Sequence, residues 1–220
     1  FSAQGQVPFE LKDGDRVLFI GDTFFEREVD YGHIETRLTA AFPDRNVTFR
    51  NLGWAGDTPM GKARASFDWN KSDEDWLKWW GVNMHGVFFC TRAALRFMQP
   101  QKSGRIINIA SIAGLGASSL HSPGYSATKA GVISLTQTTA LDVAGANIYV
   151  NAIACGGVLT PAFESYLETA TETQVNSLYQ MVPSGRLGRP EEYANVAVFL
   201  AAQDHYLVGQ VISPNGGFVI

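Results

Sequence analysis

The chain has 220 residues with a formal net charge of −4, and 45% of them are hydrophobic against 17% charged. This length and balance predict one soluble globular domain with a substantial core. The weak charge gives no reason to expect nucleic acid or an anionic membrane as a partner, and no apolar run approaches the roughly 18 residues of a membrane helix. Two cysteines, Cys90 and Cys155, do not make a disulfide framework, and no metal site is predicted.

The N-terminal part of the chain has the pattern of a β-α-β unit. Residues 17–21 form a short apolar run before a turn, which predicts a buried parallel strand. Residues 34–42 carry a helical stripe that Pro43 closes. Residues 47–52 predict a second strand, and residues 53–71, rich in Gly, Asp and Lys, predict a loop.

The rest of the chain alternates predicted helices with predicted strands. Ser72-Asp-Glu-Asp75 is a helix-start signal, and this helix runs toward Met98 with perturbations expected at Gly81 and Gly86. The later predictions are a strand over 105–110, a helix over 124–144, a strand over 147–154, one or two helices within 160–188, a helix from Pro190 to about residue 202 and a strand over 210–213.

Strands that alternate with helices predict an α/β fold, here a three-layer α/β/α Rossmann-like sandwich. Its sheet is expected to be mainly parallel, with about five strands and right-handed crossovers. Two positions are open for the second strand. It lies at the outer edge in the favoured order 2-1-3-4-5, or it lies beside the strand over 105–110.

Tyr125 and Lys129 are the central chemical feature, because residues four apart on a helix share one face. A free phenol, with a pKa of about 10, is a poor acid–base catalyst at neutral pH. A neighbouring ammonium stabilises the phenolate and lowers that pKa. With Ser111 to hold a carbonyl or alcohol oxygen, the set predicts a site that moves a proton on and off a C–O bond. The ordinary alternatives are a half-buried tyrosine, a solvated lysine and a turn-capping serine.

Several motifs in this order resemble the short-chain dehydrogenase/reductase family over about residues 70–220. Trp80-Gly-Val-Asn83-Met-His-Gly86 resembles the segment with the catalytic Asn, and the strand that ends at Ser111 precedes Tyr125-x-x-x-Lys129. Residues 150–160, 188–192 and 209–217 resemble the turn over the cofactor, the last helix start and the last strand. The resemblance implies the catalytic residues Asn83, Ser111, Tyr125 and Lys129, and the cofactor-binding residues Tyr125, Lys129, Gly156, Val158 and Thr160.

The resemblance implies an NAD(P)-dependent oxidoreductase that acts on a small-molecule carbonyl or secondary alcohol, with NAD or NADP as cofactor. Tyr125 would transfer the proton, Lys129 would hold the nicotinamide ribose, and Asn83 would bind a water or backbone group that continues the proton relay. A cytoplasmic protein and a homo-oligomer, formed through the helix with Trp76, Trp79 and Trp80, are also expected.

The first third of the chain departs from this family, because it lacks the Thr-Gly-x-x-x-Gly-x-Gly turn that receives the cofactor pyrophosphate. Residues 13–23 and 50–57 instead resemble the start of a GDSL-like (SGNH) esterase, over about residues 10–68. The nucleophile block would be Gly21-Asp22-Thr23, and Gly53 would supply the oxyanion hole. The chain is therefore interpreted as a chimera of units 1–69 and 70–220 within one domain, 1–220.

Three functions remain open. The first is the oxidoreductase, and the second is a folded chimera that keeps the four catalytic side chains but binds cofactor weakly or not at all. The third is a remnant ester hydrolase centred on Thr23, for which the Asp-x-x-His that would supply a base is absent. The ordinary interpretation of Gly21-Asp22-Thr23 is a turn with a capping side chain, which could also favour a phosphate.

Other conspicuous residues have simpler interpretations. Trp76, Trp79 and Trp80 predict a buried stripe, and Cys90 a packed apolar residue. Cys155 replaces a proline of the family's turn, either as a thiol near the cofactor or as a plain substitution. The remaining predictions are a surface helix end at His205 and an apolar pocket wall formed by Phe163, Tyr166, Tyr179 and Met181.

Overall fold

A computed structural model of the chain describes residues 16–19, 33–41, 43–44, 48–51, 73–116, 123–202 and 205–220. In its N-terminal part, strand β1 (Arg16–Phe19) pairs in parallel with strand β2 (Thr48–Asn51), and helix α1 (His33–Ala41) connects them in sequence. The predicted β-α-β unit is confirmed. The proposed esterase blocks at Gly21-Asp22-Thr23 and Gly53 lie outside the described residues.

A second parallel sheet has the order β3-β4-β5, with β3 (Gly104–Ser111), β4 (Ile148–Cys155) and β5 (Val211–Ile212). Strands β3 and β4 are in register from Gly104 opposite Ile148 to Ser111 opposite Cys155. The remaining helices are α2 (Asp73–Trp80), α3 (Val87–Gln101), α4 (Pro123–Val143), α5 (Pro161–Thr169), α6 (Glu172–Gln180) and α7 (Pro190–Ala201). None of these described helices combines the length and apolarity needed to cross a lipid bilayer.

Helices cover both faces of the second sheet. Successive residues of a strand point to opposite faces, so one strand can contact helices on both sides. Val150 packs with Ala140 of α4 on one face. Ile153 shares a buried cluster on the other face with Leu200 of α7 and Leu38 of α1. The α/β fold with helices on both faces of a parallel sheet is therefore confirmed for β3-β4-β5. The described residues place β1 and β2 in a separate parallel pair, so a single sheet of about five strands stays a prediction. The position of β2 relative to β3 stays a prediction as well.

Helices α2 and α3 are joined by a π-helical turn (Gly81–Gly86), bounded by the two glycines expected to perturb the helix. The buried residues Trp79, Asn83, Val87 and Thr91 recur every four positions across this turn. Trp79 packs on Gly124 of α4, where a Cβ atom would overlap its ring. The predicted tryptophan stripe is wrong for Trp76, which is 42% exposed. Its Cε3 atom would lie 3.3 Å from a Cβ atom at Gly124, while the Trp79 ring lies closer to that position, so Trp76 covers only the edge of the contact.

Helix α7 begins with a charged cap. The Glu192 carboxylate accepts the Arg189 backbone N–H at 2.7 Å and receives both guanidinium nitrogens of Arg186, at 2.7 and 2.8 Å. Hydrogen bonds from Arg186, followed by the one from Arg189, lower the Glu192 pKa to about 2. Pro190 occupies the first turn, where its missing N–H costs nothing.

A short 3₁₀ turn (Ile112–Gly114) follows β3 and packs directly on α4. A Cβ atom at Gly114 would lie 2.6 Å from the Lys129 carbonyl carbon and 2.7 Å from the Ala130 nitrogen. Both are backbone atoms inside a helix, so they cannot move aside as a side chain can. Gly114 is therefore required by the close approach of the turn to the helix.

We expect Glu192→Gln to lower the free energy of unfolding near neutral pH and to lose this effect in acid. The folded-state pKa, about 2, lies below the usual value for Glu of about 4.3. The carboxylate therefore stabilises the fold above that usual value, and the contribution disappears as the pH falls through the folded pKa. Urea unfolding at pH 6, 4.5 and 3.5 would measure it, with Glu172→Gln in the first turn of α6 as control. A difference from wild type that is constant over this range would contradict the assignment.

Gly114→Ala should lower the free energy of unfolding by roughly 1–3 kcal/mol, the usual cost of overpacking. Gly116→Ala is the matched control, because a Cβ atom there would have no atom of the described residues within 4 Å. Its effect should stay within about 0.5 kcal/mol. Denaturant melts of both variants would test the packing, and equal stabilities would show that the turn can move away from α4.

Candidate active site

The carboxyl ends of β3 and β4 lie side by side, since Ser111 is opposite Cys155 in the last pair of the ladder. In open α/β sheets, ligands bind outside these ends. The Ser111 hydroxyl accepts a hydrogen bond from the Ala113 N–H at 3.2 Å and so caps the 3₁₀ turn. This is the capping interaction that the ordinary interpretation predicts, and it holds the hydroxyl at the sheet edge.

Tyr125 and Lys129 lie on one face of α4 beside this edge, as their spacing predicts. Tyr125 is 6% exposed and Lys129 is 1% exposed. The Lys129 Nζ lies 5.7 Å from the centre of the Tyr125 ring and donates a hydrogen bond to the Ile109 carbonyl at 3.0 Å. A buried ammonium needs such partners, so the lysine is an internal charge of the site rather than the solvated residue of the alternative interpretation.

Asn83 enters the site from the π-helical turn. Its side chain is buried, and its Nδ2 donates to the Thr128 hydroxyl at 3.3 Å. The hydroxyl in turn donates to the Tyr125 carbonyl at 2.7 Å. Single-turn π-helices are frequent at functional sites. The predicted role of Asn83 in a water relay stays a prediction, because its amide is engaged with a side chain of α4.

Thr128 is the residue of this region that the sequence analysis missed. Its position between Tyr125 and Lys129 was visible, and threonine is an unfavourable choice inside a helix unless its hydroxyl finds a local partner. A threonine inside this helix, between Tyr125 and Lys129, therefore indicates a hydroxyl with a local hydrogen-bond partner. The identity of the partner, Asn83, lies 45 positions away and could not be read from the helix itself.

The two glycines after β4 are required by other parts of the protein. A Cβ atom at Gly156 would lie 2.8 Å from the Asn215 Cα, and one at Gly157 would lie 2.7 Å from the Leu187 side chain. The family resemblance names Gly156 as a cofactor-binding residue, where glycine would let the backbone approach the cofactor closely. The described contacts account for it by the approach of the segment around Asn215, and contact with a cofactor stays a prediction.

Val158 and Thr160 continue this segment toward α5. Val158 forms a parallel bridge with Gly188, and the Leu159 N–H donates to the Gly188 carbonyl at 2.8 Å. The Thr160 carbonyl accepts from the backbone N–H groups of residues 163 and 164 and so starts α5. The segment is thus fixed at both ends beside the sheet edge.

Tyr193 of α7 is hydrogen-bonded to the segment that follows β4. Its hydroxyl donates to the Gly157 carbonyl at 3.2 Å. Burial raises the Tyr193 pKa, and the nearby Cys155 raises it further. The phenol therefore stays neutral and serves as a hydrogen-bond donor at ordinary pH.

The other singled-out residues have modest roles in the described structure. Burial raises the Cys90 pKa, in keeping with a partly packed thiol. His205 follows α7, and its Nε2 donates to the Leu200 carbonyl at 2.9 Å. Phe163 and Tyr179 are half-buried and Met181 is exposed. The predicted pocket wall, which includes Tyr166, stays a prediction.

Comparison with known families matches residues 29–219 to a family model described as "Enoyl-(Acyl carrier protein) reductase". The match begins well upstream of residue 70 and takes in part of the segment for which an esterase origin is predicted. The esterase resemblance and the chimera therefore stay predictions.

Curated relatives share substantial sequence identity with the chain. A 3-oxoacyl-[acyl-carrier-protein] reductase FabG of Thermotoga maritima is 43% identical over 152 residues, which are 67% of this chain and 58% of the relative. A 3-oxoacyl-[acyl-carrier-protein] reductase of Synechocystis is 40% identical over 180 residues, 80% of this chain and 65% of the relative. The FabG of Rickettsia felis is 37% identical over 189 residues, 84% of this chain and 72% of the relative. The chain thus spans less than two thirds of the first two.

Solved structures confirm the Rossmann-like fold. ElxO with NADP bound has a TM-score of 0.73 at 24% identity, over 94% of this chain and 99% of that one. A putative 2-deoxy-D-gluconate 3-dehydrogenase of Agrobacterium tumefaciens with bound NADP has a TM-score of 0.75 at 24% identity, over 97% and 99% of the two chains. With a family match over residues 29–219 and relatives of this identity, the chain belongs to the short-chain dehydrogenase/reductase family.

Proposed function

We propose that the chain is a nicotinamide-dependent oxidoreductase that interconverts a carbonyl group and a secondary alcohol. The observation that carries this proposal is the buried pair Tyr125 and Lys129, which lies beside the carboxyl end of β3. A phenol hydroxyl and an ammonium held together in a buried site can move a proton to or from a bound oxygen atom.

In this proposal the protein supplies the proton and the orientation of the substrate. Tyr125 donates its proton to the carbonyl oxygen during reduction and takes it back during oxidation. The Lys129 ammonium, 5.7 Å from the ring centre, favours the phenolate that remains. Ser111, fixed by Ala113, holds the same substrate oxygen and stabilises the charge that develops on it.

A nicotinamide cofactor, when bound, supplies or accepts the hydride at the carbonyl carbon. The donors present fit such a group, because the buried Lys129 ammonium and the Tyr125 hydroxyl can bind ribose hydroxyls. Val158 and Thr160 lie on the segment proposed for the carboxamide and diphosphate, with Gly156 at its start. The NADP named for ElxO and for the Agrobacterium protein supports this cofactor class, and NAD remains the alternative.

The names of the relatives favour a 3-oxoacyl thioester as the first substrate class to test. Its ketone is reduced to a secondary alcohol, which matches the proposed chemistry. The same names suggest a substrate held on a carrier protein. A homo-oligomer and a cytoplasmic location remain expectations from the sequence and the family resemblance. The single composite domain over 1–220 is likewise a proposal.

Tyr125→Phe should lower kcat by about 10²–10⁴-fold, the usual contribution of a general acid–base group. The variant also removes the hydroxyl that is proposed to bind a ribose hydroxyl, so the affinity for NADPH should fall by about 10-fold or less, the contribution of one neutral hydrogen bond. Initial rates of NADPH oxidation with a 3-oxoacyl thioester would measure the first quantity and calorimetry the second. A variant that keeps the kcat of the wild type would remove Tyr125 from the mechanism.

Cofactor binding is tested by titrating the protein with NADH and NADPH and following energy transfer from its tryptophans. We expect micromolar binding that Lys129→Ala weakens by about 10-fold or more, because it removes a charge-assisted hydrogen bond. Lys78→Ala changes an exposed lysine of α2 and should leave binding unchanged. Absence of binding up to millimolar concentration, in a protein that melts cooperatively, would contradict the oxidoreductase proposal and favour the inactive chimera.

The hydrolase alternative is tested by measuring ester hydrolysis. Activity that is lost in Thr23→Ala and kept in Tyr125→Phe would favour a hydrolase.

A further inference from the structure

The π-helical turn and its two flanking helices contact α4 along matching four-residue steps. Trp79 packs on Gly124, Asn83 donates to Thr128, and Val87 shares a buried cluster with Val132. The positions rise together on both helices, so the two run in the same direction. The first and third of these residue pairs are apolar, and the second, Asn83 with Thr128, is a hydrogen-bonded polar pair.

A hydrogen-bonded polar pair that lies between two apolar contacts favours one alignment of the two helices. An apolar residue can slide along an apolar surface at small cost, whereas a buried amide or hydroxyl that loses its partner costs the full desolvation of the group. A single buried polar residue fixes the register of coiled coils for this reason. Asn83 and Thr128 are both buried, Thr128 with 0% exposure, so they meet this condition.

The hydrogen bonds of Thr128 also fix the direction of its contact with Asn83. A hydroxyl has one proton, and the Thr128 proton is donated to the Tyr125 carbonyl at 2.7 Å. The oxygen can then only accept from Asn83, which places the Asn83 Nδ2, and not its Oδ1, against α4. The amide orientation of Asn83 is thus set by the backbone of Tyr125.

The carbonyl that Thr128 uses belongs to the helical turn that spaces the two reacting side chains. In an α-helix, the carbonyl of Tyr125 accepts from the N–H of Lys129. The Thr128 hydroxyl shares this carbonyl, and such back-bonding adjusts the local helix geometry. Thr128 therefore connects the Tyr125–Lys129 turn to the π-helical turn without itself carrying chemistry.

We propose that Thr128 is a positioning residue whose hydroxyl locks the π-helical turn, through Asn83, onto the turn of α4 that presents Tyr125 and Lys129. Its kinetic part rests on the proposed oxidoreductase function. Its structural part, the hold on residues 81–86, stands without that function.

The experiment compares Thr128→Val, which keeps the shape and removes the hydroxyl, with Thr128→Ser, which keeps the hydroxyl. Thr136→Val is the matched control, because Thr136 is also fully buried on α4, donates to the Val132 carbonyl at 2.8 Å and accepts from Asn108 at 2.9 Å. It differs in lying two turns further along the helix, with its partner on β3. Each variant is measured for kcat, for KM, for the pH dependence of kcat and for amide hydrogen exchange in residues 81–91.

We expect Thr128→Val to lower kcat by about 10–100-fold, the scale of a small misplacement of reacting groups. The pH dependence of kcat should move, the KM should change much less, and exchange in residues 81–86 should accelerate. Thr128→Ser should restore kcat to within about threefold, since it keeps the hydrogen bonds. Thr136→Val should leave kcat and exchange in the turn near the wild-type values.

Two results would overturn the proposal. One is a Thr128→Val protein with wild-type kcat, pH profile and exchange. The other is an equal loss in Thr128→Val and Thr136→Val, which would show a general effect of removing a buried hydroxyl from α4. If the wild type has no reductase activity, the proposed function fails, and hydrogen exchange alone decides the inference. Faster exchange in Thr128→Val only would support it, and unchanged exchange would contradict it.

Discussion

The buried ammonium of Lys129 is the constraint on which the site depends. A charge with 1% exposure must be solvated by protein groups, and the Ile109 carbonyl at the end of β3 is one of them. This bond requires α4 to lie close to the strand end. The turn after β3 must then pass so near the helix backbone that only glycine fits at position 114. Sheet edge, turn and helix are therefore placed by the need to keep one charge hydrogen-bonded inside the protein.

Close contacts along α4 meet this requirement by pairing a large side chain with a glycine. The Trp79 ring covers Gly124, and the Met84 sulfur lies 3.1 Å from where a Cβ atom of Gly131 would be. Interiors pack at the density of crystals, so each glycine admits a neighbour that any larger residue would displace. Further along, the hydrogen bond between Asn108 and Thr136 ties the same helix to β3. Helix α4 is in this way held against both its neighbours over most of its length.

The sequence predicted the features that depend on local pattern. Helix α4, strands β3 and β4, the perturbation at Gly81 and Gly86, and the shared face of Tyr125 and Lys129 all follow from spacing. The sequence did not predict features that depend on contacts between segments far apart in the chain. The contact of Thr128 with Asn83 depends on how two helices align, and the need for Gly156 depends on Asn215. A helical stripe predicts which residues point one way but not how wide the contact is, which explains the exposed Trp76.

The π-helical turn also compensates for a mismatch in helix phase. In an α-helix of 3.6 residues per turn, residues four apart drift around the axis by about 40° at each step. Trp79, Asn83, Val87 and Thr91 would then spread over about a third of a turn, yet all four are buried. Each residue of the π-helical turn advances by a smaller angle, which brings the later residues back into line. The segment should therefore tolerate exchanged side chains better than a change of length, since loss of one residue would rotate α3 away from the core.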